Sequence, residues 1–96
     1  MSPINRKKLD LIRIKLDKLD NELLKLIKKR SNLVNEVLKI KIHKKEIIDQ
    51  KRINFILKLI RKKSIQLNID PKITNRIWKN MIWSFIDYEN RNFKKK

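Results

Sequence analysis

One apolar seam limits what this chain can fold into more than any other feature. Leu9, Ile12, Leu16, Leu19, Leu23, Leu26, Leu33, Val37 and Ile40 follow alternating steps of three and four, skipping one position, Arg30. Such spacing predicts one long helix with a coiled-coil-like stripe, running from about residue 6 to residue 42. At about 1.5 Å per residue the helix would extend roughly 55 Å. A compact domain of this size has a radius of gyration of only about 13 Å. The rest of the chain is too short to cover the stripe. A second copy of the chain is the simplest partner, which predicts an intertwined helical homodimer.

The remaining pattern also reads as helix. Residues His43 to Ile48 break the period and form a short connection. A second helix begins at Asp49, with Ile53, Ile56, Leu57, Ile60, Ser64 and Leu67 on its inner face. Asn68-Ile69-Asp70-Pro71 is a turn and helix start, and a third helix carries Ile73, Ile77, Trp78, Met81, Ile82, Phe85, Ile86 and Glu89 inward. Ser2-Pro3 and Asp70-Pro71 each set a capping side chain before a proline suited to the first helical position. The Lys94-Lys95-Lys96 tail is expected to fray. The fold class is all-α, with one very long helix and two shorter ones. Residues 1–96 make a single domain, because no linker, repeat or low-complexity segment divides them.

Composition narrows the chemistry. With no cysteine there are no disulfides and no Cys-based metal sites, and with no glycine there is no phosphate-cradling loop. His43, the single histidine, sits in a basic loop without a partner for metal binding or proton transfer. No secretory signal opens the sequence and no segment is long and apolar enough to span a bilayer, so a cytoplasmic protein without a membrane partner is the expectation. The net charge of +17 suggests a polyanion at first sight. The lysines, however, scatter around the helices instead of forming one stripe. Abundant Lys, Ile and Asn with no Ala is also how an AT-rich genome writes ordinary helices. Trp78 reads as core and Trp83 as a rim residue, not as a base-stacking platform. The reading is therefore against a nucleic-acid partner, and a few cations are left to serve one small anionic substrate.

Arg30 carries the most information. It occupies a seam position, so its guanidinium points at the bundle interior and requires a counter-anion. That anion is either a carboxylate of the protein, from Asp49, Glu36 or a partner subunit, or a substrate. Lys41 follows by eleven residues, which in a continuous helix places it on the same face about 16 Å away. Arg13 lies about a quarter-turn off that face, where it serves a neighbouring subunit better than its own. Asp49 by itself reads as an N-cap, Arg52 as a surface arginine sharing its face, and Glu89 as a boundary carboxylate on an apolar helix.

Together these residues resemble the AroQ-type, all-helical chorismate mutases, over nearly the whole chain from Leu9 to Glu89. Arg13, Leu16-Asp17-Lys18-Leu19-Asp20, Leu23-Leu24 and Lys29-Arg30 are similar to that family's opening signature. Leu33-Val34, Lys41, Asp49-Gln50-Lys51-Arg52 and the Asn68–Pro71 turn follow at similar distances. The resemblance implies a [3,3] rearrangement of chorismate to prephenate, in phenylalanine and tyrosine biosynthesis, with no cofactor and no metal. It implies that Arg30 and Arg52 bind substrate carboxylates or nearby oxygens, and that Arg13 reaches across the dimer. Lys41 and Glu89 would contact the ether oxygen, and Asp49 would help to position substrate.

The chain departs from the pattern at two site positions. Ile53 stands where the family usually has a Glu that holds the substrate hydroxyl, and Phe85 stands where a Ser is usual. Both look like the isochorismate pyruvate-lyase branch of the fold, although that branch tends to lack an acid equivalent to Asp49. Restoring Glu at residue 53 is expected to favour the mutase reaction. The alternatives to a mutase are that lyase in the same pocket, or a non-catalytic basic helical dimer binding nucleic acid.

Overall fold

The computed structural model describes residues 1–95. Helix α1 spans Pro3–Ile40, a 3₁₀ turn Lys44–Glu46, α2 Gln50–Gln66 and α3 Pro71–Asn92. No strand occurs among the described residues. The fold is all-α, as the periodicity predicts.

Both proline starts are used as expected. The Ser2 hydroxyl accepts from the Asn5 amide at 3.2 Å, and Pro3 opens α1. The Asp70 carboxylate accepts from the Lys72 amide at 2.9 Å, and Pro71 opens α3. Each cap satisfies an amide that the first helical turn leaves without a backbone partner, and proline supplies the required φ without losing a needed donor.

The α2–α3 turn exposes the cost of having no glycine. Asn68 takes φ 57°, the left-handed region. Its amide donates to the Ile65 carbonyl, and the Ile69 amide donates to the Ser64 carbonyl at 2.8 Å, closing α2 in a Schellman arrangement. Glycine is the usual residue at such a position, and asparagine tolerates it best among the rest. Asn68→Ala is expected to lower unfolding stability by about 1 kcal/mol and Asn68→Gly to hold or raise it. Urea midpoints of the two variants check this.

The chain divides into two compact units, Met1–Leu33 and the part beginning at Val34. The first unit is helix alone. None of α1 is buried, and every seam residue after Leu9 is exposed, Leu19 at 65% and Leu26 at 59%. An apolar stripe of this length standing in water is the feature a second chain would cover. The second unit holds the core, in which Ile47, Ile53, Ile82 and Ile86 are buried and Ile56, Leu57 and Phe93 pack against them. Ser64 and Thr74, both buried, share a hydrogen bond of 2.7 Å between α2 and α3. The Ser64 hydroxyl also reaches the Ile60 carbonyl at 2.6 Å, so this polar pair is satisfied inside the core.

Several expectations need correction. Helix α1 ends at Ile40, two residues early, and the next residue, Lys41, bonds Glu89 on α3. The connection is not an idle loop: Ile47 in it is only 3% exposed and is part of the core. Leu67, Ile73 and Ile77, expected to face inward, are exposed. Leu67 caps α2 and lies past its packed stretch, while Ile73 and Ile77 lie on the α3 face away from the isoleucine core. Of the tail, Lys94 and Lys95 follow the end of α3, and Lys96 lies outside the described residues.

Candidate active site

The second unit brings together two residues that sequence spacing sets far apart. Lys41 Nζ donates to Glu89 Oε1 at 3.1 Å across 48 residues. Their side chains are 17% and 8% exposed, so the pair is largely withdrawn from water. The exposed ion pairs, Arg6–Asp10, Glu22–Lys25 and Asp87–Arg91, are solvated surface contacts by contrast.

Each partner is placed by its own element. Lys41 is the first residue beyond α1, and its amide still reaches back to the Leu38 carbonyl at 3.3 Å. Leaving the helix frees the Lys41 stem from the face it would have occupied and lets it turn to α3. Glu89 stands one turn beyond Phe85 and three residues beyond buried Ile86, on the inward side of α3. Read alone it suggests a boundary position; it is buried at 6% exposure. A carboxylate so placed would be strongly destabilising without a counter-charge, and Lys41 supplies one.

An open cleft of about 520 Å³ adjoins Lys41, lined also by Glu46, Ile48, Asp49, Gln50 and Lys51. Asp49 caps α2, its carboxylate accepting from the Arg52 amide at 3.0 Å, so one of its oxygens is committed to the helix start. Glu46 closes the 3₁₀ turn by accepting from the His43 amide at 3.1 Å. The Arg52 guanidinium lies over the Phe55 ring, 5.3 Å from its centroid. Such stacking holds the planar cation in place while leaving its edge donors available. Lys41 and Lys51 are offset by Glu46 and Asp49 within this lining, so the cleft alone is a poor trap for a doubly charged anion. Further arginines are required if a dicarboxylate is to settle there.

The other expected residues are distributed as follows. Arg13 and Arg30 both lie in the first unit, on α1, with Arg13 exposed and Arg30 half-buried. Phe85 is half-buried on α3. Ile53 is in the core beside Ile47, Ile82 and Ile86, not on the cleft wall. That placement alters the expectation attached to it. Ile53→Glu puts a carboxylate into the isoleucine core, and the expected result is a loss of about 3–5 kcal/mol in stability. Thermal unfolding of the variant measures it; an unchanged midpoint would mean that a cation moves in to meet the new charge.

Sequence reading passes over Phe55, Glu46 and the pair Asn35–Tyr88, in which the Tyr88 hydroxyl donates to Asn35 Oδ1 at 2.7 Å. The only available signal is that Tyr88 directly precedes Glu89. No group of three or more potential metal-ligating His, Cys, Asp or Glu side chains occurs among the described residues. No helix among them is long and apolar enough to cross a membrane.

A family model, chorismate mutase type II, matches residues 12–90. The chain belongs to that family. The match takes in the greater part of α1 and all of α2, and it ends one residue after Glu89. Comparison with curated proteins and with solved structures gave no match. Both Lys41 and Glu89 lie inside the stretch matched to chorismate mutase type II.

Proposed function

We propose that this protein is a cytoplasmic chorismate mutase, acting as one domain over residues 1–96 and converting chorismate to prephenate for phenylalanine and tyrosine synthesis. The observation that carries the proposal is the Lys41–Glu89 pair, 3.1 Å apart and withdrawn from water, inside the stretch matched to the family. The reaction is a [3,3] rearrangement: the ether C–O bond breaks as a new C–C bond forms at the other end of the enolpyruvyl group. No nucleophile is required. The protein's work is to hold the side chain folded over the ring and to stabilise charge as it grows on the ether oxygen.

Lys41 and a protonated Glu89 are the two donors to that oxygen. Arg30 and Arg52 hold carboxylates or nearby oxygens, Asp49 helps to position substrate, and Phe85 supplies apolar bulk around it. Arg13 acts from the partner subunit. The exposed seam of α1 supports the homodimer, because each fully buried Leu or Ile contributes about 1.5–3 kcal/mol. Light scattering at micromolar concentration should report two chains per particle; a folded monomer would end the shared-site scheme. Arg13→Ala and Arg30→Ala homodimers should both be nearly inactive, while mixing the subunits restores one complete site per heterodimer. No recovery on mixing places both arginines in the same subunit's site.

The deciding assay incubates purified protein separately with chorismate and isochorismate, and measures prephenate and pyruvate. Prephenate from chorismate is the expected result. Pyruvate from isochorismate without prephenate would assign the lyase reaction. Neither product, together with polyanion binding that weakens steeply with salt, would assign a non-catalytic nucleic-acid role.

A further inference from the structure

A second side-chain bond runs beside the Lys41–Glu89 pair. The Tyr88 hydroxyl and Asn35 Oδ1 meet at 2.7 Å, joining α3 to the last turns of α1 across 53 residues. The contact is part-buried, and both residues belong to the unit that holds Lys41 and Glu89. Tyr88 is the residue before Glu89, and Asn35 lies six residues before Lys41. The two bonds therefore tie α3, at adjacent residues, to the end of α1 and to the residue just beyond it, six residues apart.

Two features make the separation of these elements matter. Lys41 is outside α1, tethered behind by a long 3.3 Å backbone bond, so its Nζ has no rigid helix beneath it. Glu89 and Lys41 are in direct contact. For both to donate to one ether oxygen, each must approach it to about 2.9 Å, so their own contact has to open. Once it opens, it no longer holds the end of α1 against α3. Asn35–Tyr88 survives that opening, because neither residue takes part in it.

We propose that Asn35 and Tyr88 form a positioning clamp that sets the gap between Lys41 and Glu89 when substrate separates them. This rests on the chorismate mutase reading. Neither residue touches the reacting atoms; the phenol and the amide act by holding the last turns of α1 and α3 at one spacing. A small error in that spacing weakens both donors together, so the effect falls on the transition state more than on substrate capture.

The test is steady-state kinetics with chorismate on the whole chain. Tyr88→Phe removes the hydroxyl and keeps the ring. It should lower kcat about five- to tenfold while leaving KM within about twofold. Asn35→Ala should do the same. Asn35→Asp keeps an acceptor for the phenol and should retain activity near that of the parent. The double variant Asn35→Ala/Tyr88→Phe should be no slower than either single one, because both remove one bond. A bond that serves only folding would lower the melting temperature of Tyr88→Phe and leave kcat unchanged well below it, which overturns the clamp. Losses that multiply in the double variant also overturn it. Lys41→Ala separates the levels of the argument. If it is inactive while Tyr88→Phe matches the parent, the clamp alone is wrong. If Lys41→Ala is as active as the parent, or the parent makes no prephenate, the reading beneath it is wrong as well.

Discussion

Replacing Lys41 by alanine should cut kcat for prephenate formation by about 10²–10³-fold, the loss seen when one preorganised donor is removed from an enclosed site. The ammonium lies on a side chain 17% exposed, and its hydrogen bond to Glu89 shows that it is already aimed inward. Charge that develops on an ether oxygen there is met by a donor that does not have to leave bulk water first. The substitution has a second consequence, since it strands the Glu89 carboxylate in a buried position without its cation. Stability losses and catalytic losses would then be confused. Lys41→Ala combined with Glu89→Gln removes the stranded charge, and its melting temperature should lie above that of Lys41→Ala alone. If the combined variant is well folded and still at least 10²-fold slower than Glu89→Gln, the loss belongs to the chemistry. A fall of less than about tenfold would remove Lys41 from the ether oxygen.

Much of this arrangement is legible in the sequence. The three helices, both proline starts and the turn at Asn68 follow from local rules, since period, caps and turn residues act over a few positions. The seam on α1 is legible for the same reason, and so is its excess over what the chain can cover. Pairing over distance is not. Tyr88 and Asn35 are polar residues at ordinary helical positions, and nothing within a turn of either one announces the other. Counting turns puts Lys41 on a face of α1, whereas its bond to Glu89 is made from one residue past the end of the helix. Ile53 shows a different failure. A motif position is defined by neighbours in sequence, but its surroundings are set by Ile47 from the connection and by Ile82 and Ile86 from α3. A substitution that looks like restoration in the motif becomes a buried charge in the fold. Ile47 itself lies in a segment that reads as a connection, because an apolar residue outside a periodic run carries no periodic signal.

Glu89→Gln should keep substantial activity in prephenate formation. The reason lies in what each group offers an ether oxygen. That oxygen has lone pairs only, so it requires donors on both sides. An ionised Glu89 presents two acceptor oxygens, which repel it; a protonated Glu89 presents one O–H, which stabilises it. The carboxyl accepts from Lys41 at 3.1 Å, so its acceptor face is turned toward the lysine and must become a donor once substrate is held. Glutamine has nearly the same shape and always carries N–H donors, so the variant should hold kcat within about tenfold of the parent. Because the substituted amide still accepts from Lys41 through its carbonyl oxygen, the Glu89→Gln variant keeps the link to the end of α1, and folding stability should change little. Values of kcat for prephenate formation by the two proteins, with their melting temperatures, make the comparison. If Glu89→Gln stays folded yet loses at least about 10²-fold in kcat, an N–H donor at residue 89 is not what the ether oxygen requires, and Glu89 serves only to anchor Lys41.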